Sequence, residues 1–158
     1  MERVNKIFKH PDFKAAMGRI EKCEEGRIYC LHGFEHAMDV ARIAYILNME
    51  KDLKIEKSVI YATALLHDIG RFRQYEEGIS HSLASSEIAK GILGECDFDE
   101  DEIKRIAEAI LSHGKNGDNE PLKEILNTAD TLSRMCLHCQ ECVLTARREV
   151  PANGRKMK

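Results

Sequence analysis

The sequence predicts an all-α fold, a single-domain bundle of about six or seven helices. Apolar residues recur every three or four positions along most of the chain, and no segment of five or more residues alternates cleanly between apolar and polar side chains, as a half-buried strand does. Only three prolines interrupt 158 residues, a length typical of one compact domain. We therefore expect one helical domain over residues 1–150 and a frayed C-terminal tail over residues 151–158.

The first elements are marked by ordinary helix signals. A short N-terminal segment ends near Pro11, and Asp12 is a candidate N-cap for a helix that runs to about Glu24. Residues 23–35 contain several Cys and Gly breaks and are predicted to form a loop, with Glu24 in solvent. A second helix follows over residues 35–49, because the apolar residues at positions 40, 43, 44 and 47 lie on one face.

The next predicted helix, over residues 56–69, is apolar around nearly its whole circumference, which indicates a buried position. Gly70 is expected to end this helix in the left-handed conformation. Three further amphipathic helices follow, and Asp99 is a candidate N-cap for the second of them. They span residues 81–93, 99–113 and 120–137.

Composition excludes several functional classes. With 24 basic and 27 acidic side chains, the slight acidic excess argues against a nucleic-acid-binding face. No stretch approaches the roughly 18 apolar residues of a membrane span, and the N-terminus lacks the apolar core of a signal peptide, so we expect a cytoplasmic protein with no membrane partner. In the reducing cytosol the six cysteines are expected to be free thiols or metal ligands.

Polar residues interrupt the inward faces of five of the predicted helices. One histidine at a helix end is usually structural, but several polar residues directed at one interior favour a shared site, because burying an unpaired charge costs several kcal/mol. Imidazole and carboxylate ligands without thiolate favour one or two divalent ions such as Fe, Mn, Co, Ni or Mg over structural zinc. The candidate ligands are His36, His67, Asp68, His81, His113 and Asp130.

The order of a first histidine, a His-Asp doublet and a distal aspartate, within the segments LLHDIGR and ADTLSR, resembles the HD superfamily of metal-dependent phosphohydrolases over residues 36–134. The resemblance implies that four residues surround one metal ion: His36, His67, Asp68 and Asp130. In some branches two further histidines hold a second ion, which Asp68 would bridge, and His81 and His113 stand in those places. A mononuclear form, with these two histidines as phosphate contacts, is the alternative.

The resemblance also implies hydrolysis of a phosphate ester or anhydride by metal-activated water, with Asp68 as the catalytic residue that orients the water. Basic residues beside the ligands are candidates for binding the phosphate, although such residues after a helix C-terminus often only complement the helix dipole. They are Arg71, Lys115 and Arg134. Because the chain is too short for a large cap domain, we expect a small phosphorylated substrate such as a nucleotide.

Two other functions fit the same pattern. A minority of the superfamily uses this six-ligand set in mixed-valent di-iron oxygenases, which the metal identity would distinguish from hydrolases. A regulatory module would bind a nucleotide without turnover, but the complete ligand set argues against that function.

A cysteine cluster follows the distal aspartate, with Cys136, Cys139 and Cys142 at three-residue steps around His138. Three thiolates and a fourth ligand can hold zinc or an iron–sulfur cluster. In a helix, however, this spacing forms one stripe, and free cysteine is readily buried as a small apolar residue. We therefore do not expect a second kind of metal site there.

Two histidines lie outside the candidate ligand set. His32 precedes His36 by four residues and would replace it only in a shifted register, which the break at Gly33 disfavours. His10, beside Pro11, lies off any inward stripe and has no expected role.

Overall fold

The computed structural model describes residues 1–27, 29–113 and 120–134, and these residues form eight α-helices and no strand. The predicted all-α class is confirmed. None of the described helices combines the length and apolarity that crossing a bilayer requires. The helices are α1 (Glu2–Lys9), α2 (Pro11–Cys23), α3 (Phe34–Glu50), α4 (Lys57–Leu66), α5 (Arg71–Glu77), α6 (His81–Gly94), α7 (Glu100–Leu111) and α8 (Pro121–Leu132).

Helix α5 was not predicted, and Gly70 has a different role from the expected one. The buried helix α4 already ends at Leu66, and Gly70 has a φ of −89°, so the prediction of a left-handed stop is wrong. Instead, a Cβ atom at Gly70 would lie 2.3 Å from the backbone nitrogen of Ser85 and 2.6 Å from the carbonyl carbon of Ala84. Glycine is therefore required because the turn after α4 packs directly against the backbone of α6.

The two predicted N-caps have different outcomes. Asp99 caps α7 as expected, in a reciprocal capping box with Glu102. The cap of α2, however, is His10, whose Nδ1 accepts a hydrogen bond from the backbone N–H of Asp12 at 3.2 Å. His10, for which the sequence indicated no role, is thus a structural residue that satisfies one free N–H of the helix start.

Helix α4 lies at the centre of the core and contacts α1, α3, α6, α7 and α8. Its side chains Ile60, Leu65 and Leu66 are at most 2% exposed, and a fully buried residue of this kind contributes about 1.5–3 kcal/mol relative to an exposed one. Because α4 is surrounded by the other helices, the turn that follows it is buried as well. Residues 67 and 68 therefore lie in the interior.

Candidate metal centre

The structure brings all six candidate ligands together, although they come from five parts of the chain. Two of them form the turn after α4, and the others stand near the ends of α3, α6, α7 and α8. Three of the six, His67, Asp68 and His113, are buried, and the side chain of His81, the most exposed, is 23% exposed. The residues that the sequence suggests as metal ligands therefore lie at one place in the structure.

Asp68 faces three imidazole nitrogens. Its Oδ2 lies 3.4 Å from the Nε2 of His67 and 3.9 Å from that of His36, whereas its Oδ1 lies 3.6 Å from the Nε2 of His81. The two oxygen atoms of one carboxylate are thus directed at different histidines, which is the arrangement a bridging ligand needs.

Asp130 closes the other side of the centre. Its Oδ1 lies 3.2 Å from the Nε2 of His36 and 4.0 Å from that of His67, and its Oδ2 lies 3.6 Å from the Nε2 of His113. Each of the four histidines therefore has its Nε2 within 4 Å of a carboxylate oxygen of Asp68 or Asp130.

Two groups of three ligand atoms have a spacing suited to a metal ion. One group is His36, His67 and Asp68, the other is Asp68, His81 and His113, and the atoms within each lie within 4.8 Å of one another. The Nε2 atoms of His36 and His67 are buried and have no hydrogen-bond partner among the described residues. A buried polar atom without a partner is costly, and a metal ion would satisfy both, so these residues fit a divalent cation.

In each of the four candidate histidines, the other ring nitrogen, Nδ1, contacts an oxygen atom. Oxygen partners of this kind fix the ring and direct Nε2 towards the centre, as in metal sites generally. The partners Gln74, Asn127 and Ser133 were not predicted, because no local pattern marks them. The Nδ1 contacts are His36 to Ser133 Oγ (3.3 Å), His67 to the Ala64 carbonyl (2.6 Å), His81 to Gln74 Oε1 (2.9 Å) and His113 to Asn127 Oδ1 (2.9 Å).

The electrostatics favour the protonation states of metal ligands at Asp68, His81 and His113, whereas at His67 burial, which lowers the pKa, is outweighed by the charge and hydrogen bond of Asp68, which raise it. Burial opposes ionisation of Asp68, but the charges of Arg71 and His67 hold its pKa well below the usual range. Burial, followed by the charge of Arg71, lowers the pKa of His81 to about 4, and burial lowers that of His113. Near neutral pH the centre therefore offers an ionised Asp68 and at least two neutral imidazoles.

The predicted phosphate-binding arginines stand beside the ligand carboxylates. Arg71 Nη2 lies 3.0 and 3.3 Å from the two oxygens of Asp68, and Arg134 Nη2 lies 2.6 Å from Oδ1 of Asp130. Arg71 Nε is buried and has no partner within the described chain. The other predicted residues of interest, Lys115 and the cluster of Cys136, Cys139 and Cys142, lie outside the described residues, as does the predicted tail.

A cavity of about 630 Å³ opens beside the centre. Its lining includes His36, Ser133 and Arg134, together with the apolar side chains of Leu31 and Phe34. Cavities of this size accommodate small-molecule ligands. A small substrate that enters here meets the centre on the side of His36.

Glu24 and His32 differ most from the sequence-based interpretation. Glu24, expected in solvent, is 5% exposed, and His32 is 4% exposed. The Nδ1 of His32 lies 2.5 Å from Oε1 of Glu24, and its ring centroid lies 5.8 Å from that of His36. His32 belongs to neither group of ligand atoms, so the structure favours the original register with His36 at the centre.

Fold and site together define a helical domain whose interior brings four histidines and Asp68 into two groups that could hold divalent cations, with Asp130 beside them. The family model of the HD domain matches residues 33–135, and the chain belongs to this family. It is 40% identical over 140 residues to an uncharacterized protein of Clostridium beijerinckii, covering 89% of this chain and 88% of that protein.

More distant relatives agree with this assignment. A ribonuclease Y of Mycoplasma mycoides is 32% identical over 99 residues, which are 62% of this chain but only 18% of the ribonuclease. The crystal structure of a predicted HD superfamily hydrolase from an uncultured Thermotogales bacterium superposes with a TM-score of 0.57. At 23% identity, with 75% of this chain and 66% of that one covered, this similarity supports the fold.

Proposed function

We propose that the protein is a metal-dependent phosphohydrolase that cleaves a phosphate ester or anhydride of a small metabolite such as a nucleotide. The observation that carries the proposal is the orientation of Asp68, whose two oxygen atoms face different histidines at 3.4–3.9 Å. This arrangement supports two cations bridged by one carboxylate. When bound, a pair of divalent ions would supply Lewis acidity, lower the pKa of a water molecule and neutralise phosphate charge.

The chain's own residues then hold and orient the reactants. His36, His67 and Asp130 would hold one ion and His81 and His113 the other, with Asp68 shared between the two groups, where its carboxylate would orient the attacking water. Arg71 contacts Asp68 and Arg134 contacts Asp130. Because Arg71 Nε is buried and has no partner among the described residues, we expect it to bind a phosphate oxygen. Arg134 lines the cavity through which we expect the substrate to enter.

Two observations favour a small substrate over RNA. The cavity of about 630 Å³ suits a nucleotide-sized ligand, and the chain has 27 acidic against 24 basic side chains. The relative named ribonuclease Y supports cleavage of a phosphate ester bond as a class, but only 18% of its own length is matched by this chain. We therefore propose no nucleic-acid partner, and a cytoplasmic location where such metabolites occur.

A di-iron oxygenase is a second candidate because it uses the same six ligands, and metal identity separates the two. Protein purified anaerobically with reductant, and without a chelating resin, is analysed by mass spectrometry for Fe, Mn, Co, Ni, Mg and Zn. Phosphate release from a panel of nucleotides and sugar phosphates is then measured after reconstitution with each ion.

We expect about two ions per chain and phosphate release with at least one of Mn, Co, Ni or Mg. One ion per chain with hydrolysis would support the mononuclear form. Two iron ions with oxygen consumption and no phosphate release would favour the oxygenase. Absence of metal and of hydrolysis after every reconstitution would overturn the enzyme proposal and leave a binding module.

A further inference from the structure

We propose that His32 is a further residue of the active site, whose Nε2 accepts a hydrogen bond from a hydroxyl group held at the metal centre. Glu24 and Tyr75 are the positioning residues that fix this orientation. The hydroxyl belongs either to a water molecule or to the substrate, and the two sources are distinguished below. The inference rests on the proposed phosphohydrolase function for its kinetic test but not for its structural one.

Both carboxylate oxygens of Glu24 accept a hydrogen bond from His32, and one of them also accepts from Tyr75. Its Oε1 accepts from the Nδ1 of His32 at 2.5 Å and from the hydroxyl of Tyr75 at 2.6 Å, while its Oε2 accepts from the backbone N–H of His32 at 2.7 Å. The three residues come from the end of α2, the loop before α3, and α5. Two bonds from one carboxylate to the ring and backbone of a single histidine leave that ring little rotational freedom.

The protonation states follow from the same contacts. Burial opposes ionisation of Glu24, but the hydrogen bonds from His32 and Tyr75 lower its pKa overall, and burial with the bond to Glu24 raises the pKa of Tyr75. Because Glu24 accepts three hydrogen bonds, Nδ1 of His32 is a donor, and in the neutral ring this leaves the lone pair on Nε2.

His32 stands beside the metal centre without belonging to it. Its ring packs edge-to-face against that of His36, with the two ring centroids 5.8 Å apart. Like the four candidate ligands, it has Nδ1 bound to an oxygen atom, and within the described part of the chain no hydrogen bond is found at its Nε2. Because it lies outside both ligand groups, the available acceptor suits a hydroxyl at the rim of the centre.

A second histidine–glutamate pair shows what a purely structural arrangement looks like. His10 is also buried, but its Nδ1 accepts from the backbone of Asp12 and its Nε2 contacts Glu95 at 3.2 Å, so both ring nitrogens are used within the fold. Glu95 is 75% exposed, in contrast to the buried Glu24. His10 therefore provides a matched control for every substitution at His32.

The structural test is nitrogen NMR of histidine-labelled protein loaded with a diamagnetic ion such as Mg²⁺. We expect the His32 signals, assigned by their loss in His32→Gln, to show a protonated Nδ1 and an unprotonated Nε2 near neutral pH. In Glu24→Gln this tautomer preference should be lost, and in Tyr75→Phe weakened. A wild-type His32 with Nε2 protonated would overturn the proposal, whether or not hydrolysis is ever observed.

The kinetic test compares His32→Gln with His10→Gln, using adenosine monophosphate and its 2′-deoxy and 3′-deoxy analogues as substrates. Loss of one hydrogen bond should change a kinetic constant about 3- to 10-fold. A rise in KM for adenosine monophosphate that is absent for a deoxy analogue identifies a substrate hydroxyl. An equal fall in kcat for all three, with KM unchanged, identifies the water.

Glu24→Gln should reproduce the larger part of the His32→Gln effect, since the carboxylate acts only through the imidazole. Metal content and circular dichroism of each variant establish that the centre and the fold are intact. If His32→Gln keeps both ions and its kinetic constants match those of His10→Gln, the proposal is wrong while the phosphohydrolase assignment stands.

Discussion

Two of the polar clusters that join helices in the described residues differ in whether their polar groups are satisfied within the chain. In the cluster around Arg3, the guanidinium group contacts Glu56, Ser58 and Glu102 and lies 4.4 Å from the ring centroid of Phe98. At the metal centre, in contrast, Nε2 of His36 and of His67 and Nε of Arg71 are buried with no partner in the described residues. The first cluster is complete without a ligand, and the second is not.

This difference predicts that the Arg3 cluster affects mainly the stability of the fold, whereas the metal centre affects mainly the binding of cations. An unpaired buried donor or acceptor costs about 1–3 kcal/mol, so the centre opposes folding until a cation binds, and any ion that prefers the folded state then stabilises it. The Arg3 cluster gains little from any ligand, and its partly exposed ion pairs contribute modestly. Changes at the two clusters should therefore affect different measurements, and four predictions test this separation.

The largest effect is expected for Asp68→Ala, which removes the carboxylate shared by both ligand groups. We expect loss of both ions and a fall in phosphate release on the order of 10³-fold or more, with the helical circular dichroism spectrum retained. Metal analysis and phosphate assays check this, with the exposed Asp101→Asn as control. Full activity in Asp68→Ala would contradict both the hydrolase and the oxygenase assignments.

An intermediate effect is expected for Gln74→Ala, which removes the oxygen atom that holds Nδ1 of His81. Loss of such a supporting contact typically weakens metal affinity by about 10- to 100-fold. Competition with a chelator should show that one of the two ions dissociates more readily, while Glu77→Ala on the same helix leaves both affinities unchanged. Equal weakening of both ions, or of neither, would argue against separate ligand groups.

A small effect on stability alone is expected for Arg3→Ala. Because Arg3 is partly exposed, we expect the free energy of unfolding to fall by about 1 kcal/mol and Tm by roughly 3 °C. Metal content and kinetic constants should not change, since no described contact joins this cluster to the centre. A loss of metal in Arg3→Ala would remove the distinction between the two clusters.

The smallest effect is expected on the pH dependence of the free energy of unfolding in Glu56→Gln. Burial opposes ionisation of Glu56, but its hydrogen bonds from Ser58 and Arg3 lower its pKa below the ordinary value of 4.5. A lowered pKa contributes stability that is present above 4.5 and is lost as the pH falls through the pKa of the folded state. Denaturant titrations between pH 6 and 3 should therefore show that the free energy of unfolding falls less on acidification in Glu56→Gln than in the wild type.

Much of the fold and of the centre could be predicted from the sequence because both depend on local periodicity. The spacing of apolar residues indicates each long helix, and a polar residue on the same stripe, such as His36 or Asp130, must then face the interior. The short helix α5 escaped prediction because it has about two turns and a single buried residue, Phe72, so it shows no apolar periodicity.

The sequence by itself thus determined the all-α class and the six residues that face one interior, since helical geometry relates each of them to its neighbours three and four positions away. The tertiary structure alone decided which groups complete the site. Ser133 meets His36 across 97 residues, Tyr75 meets Glu24 across 51, and Gly70 meets Ser85 across 15. Such contacts depend on how helices pack against one another, and that packing leaves no periodic signal in the chain.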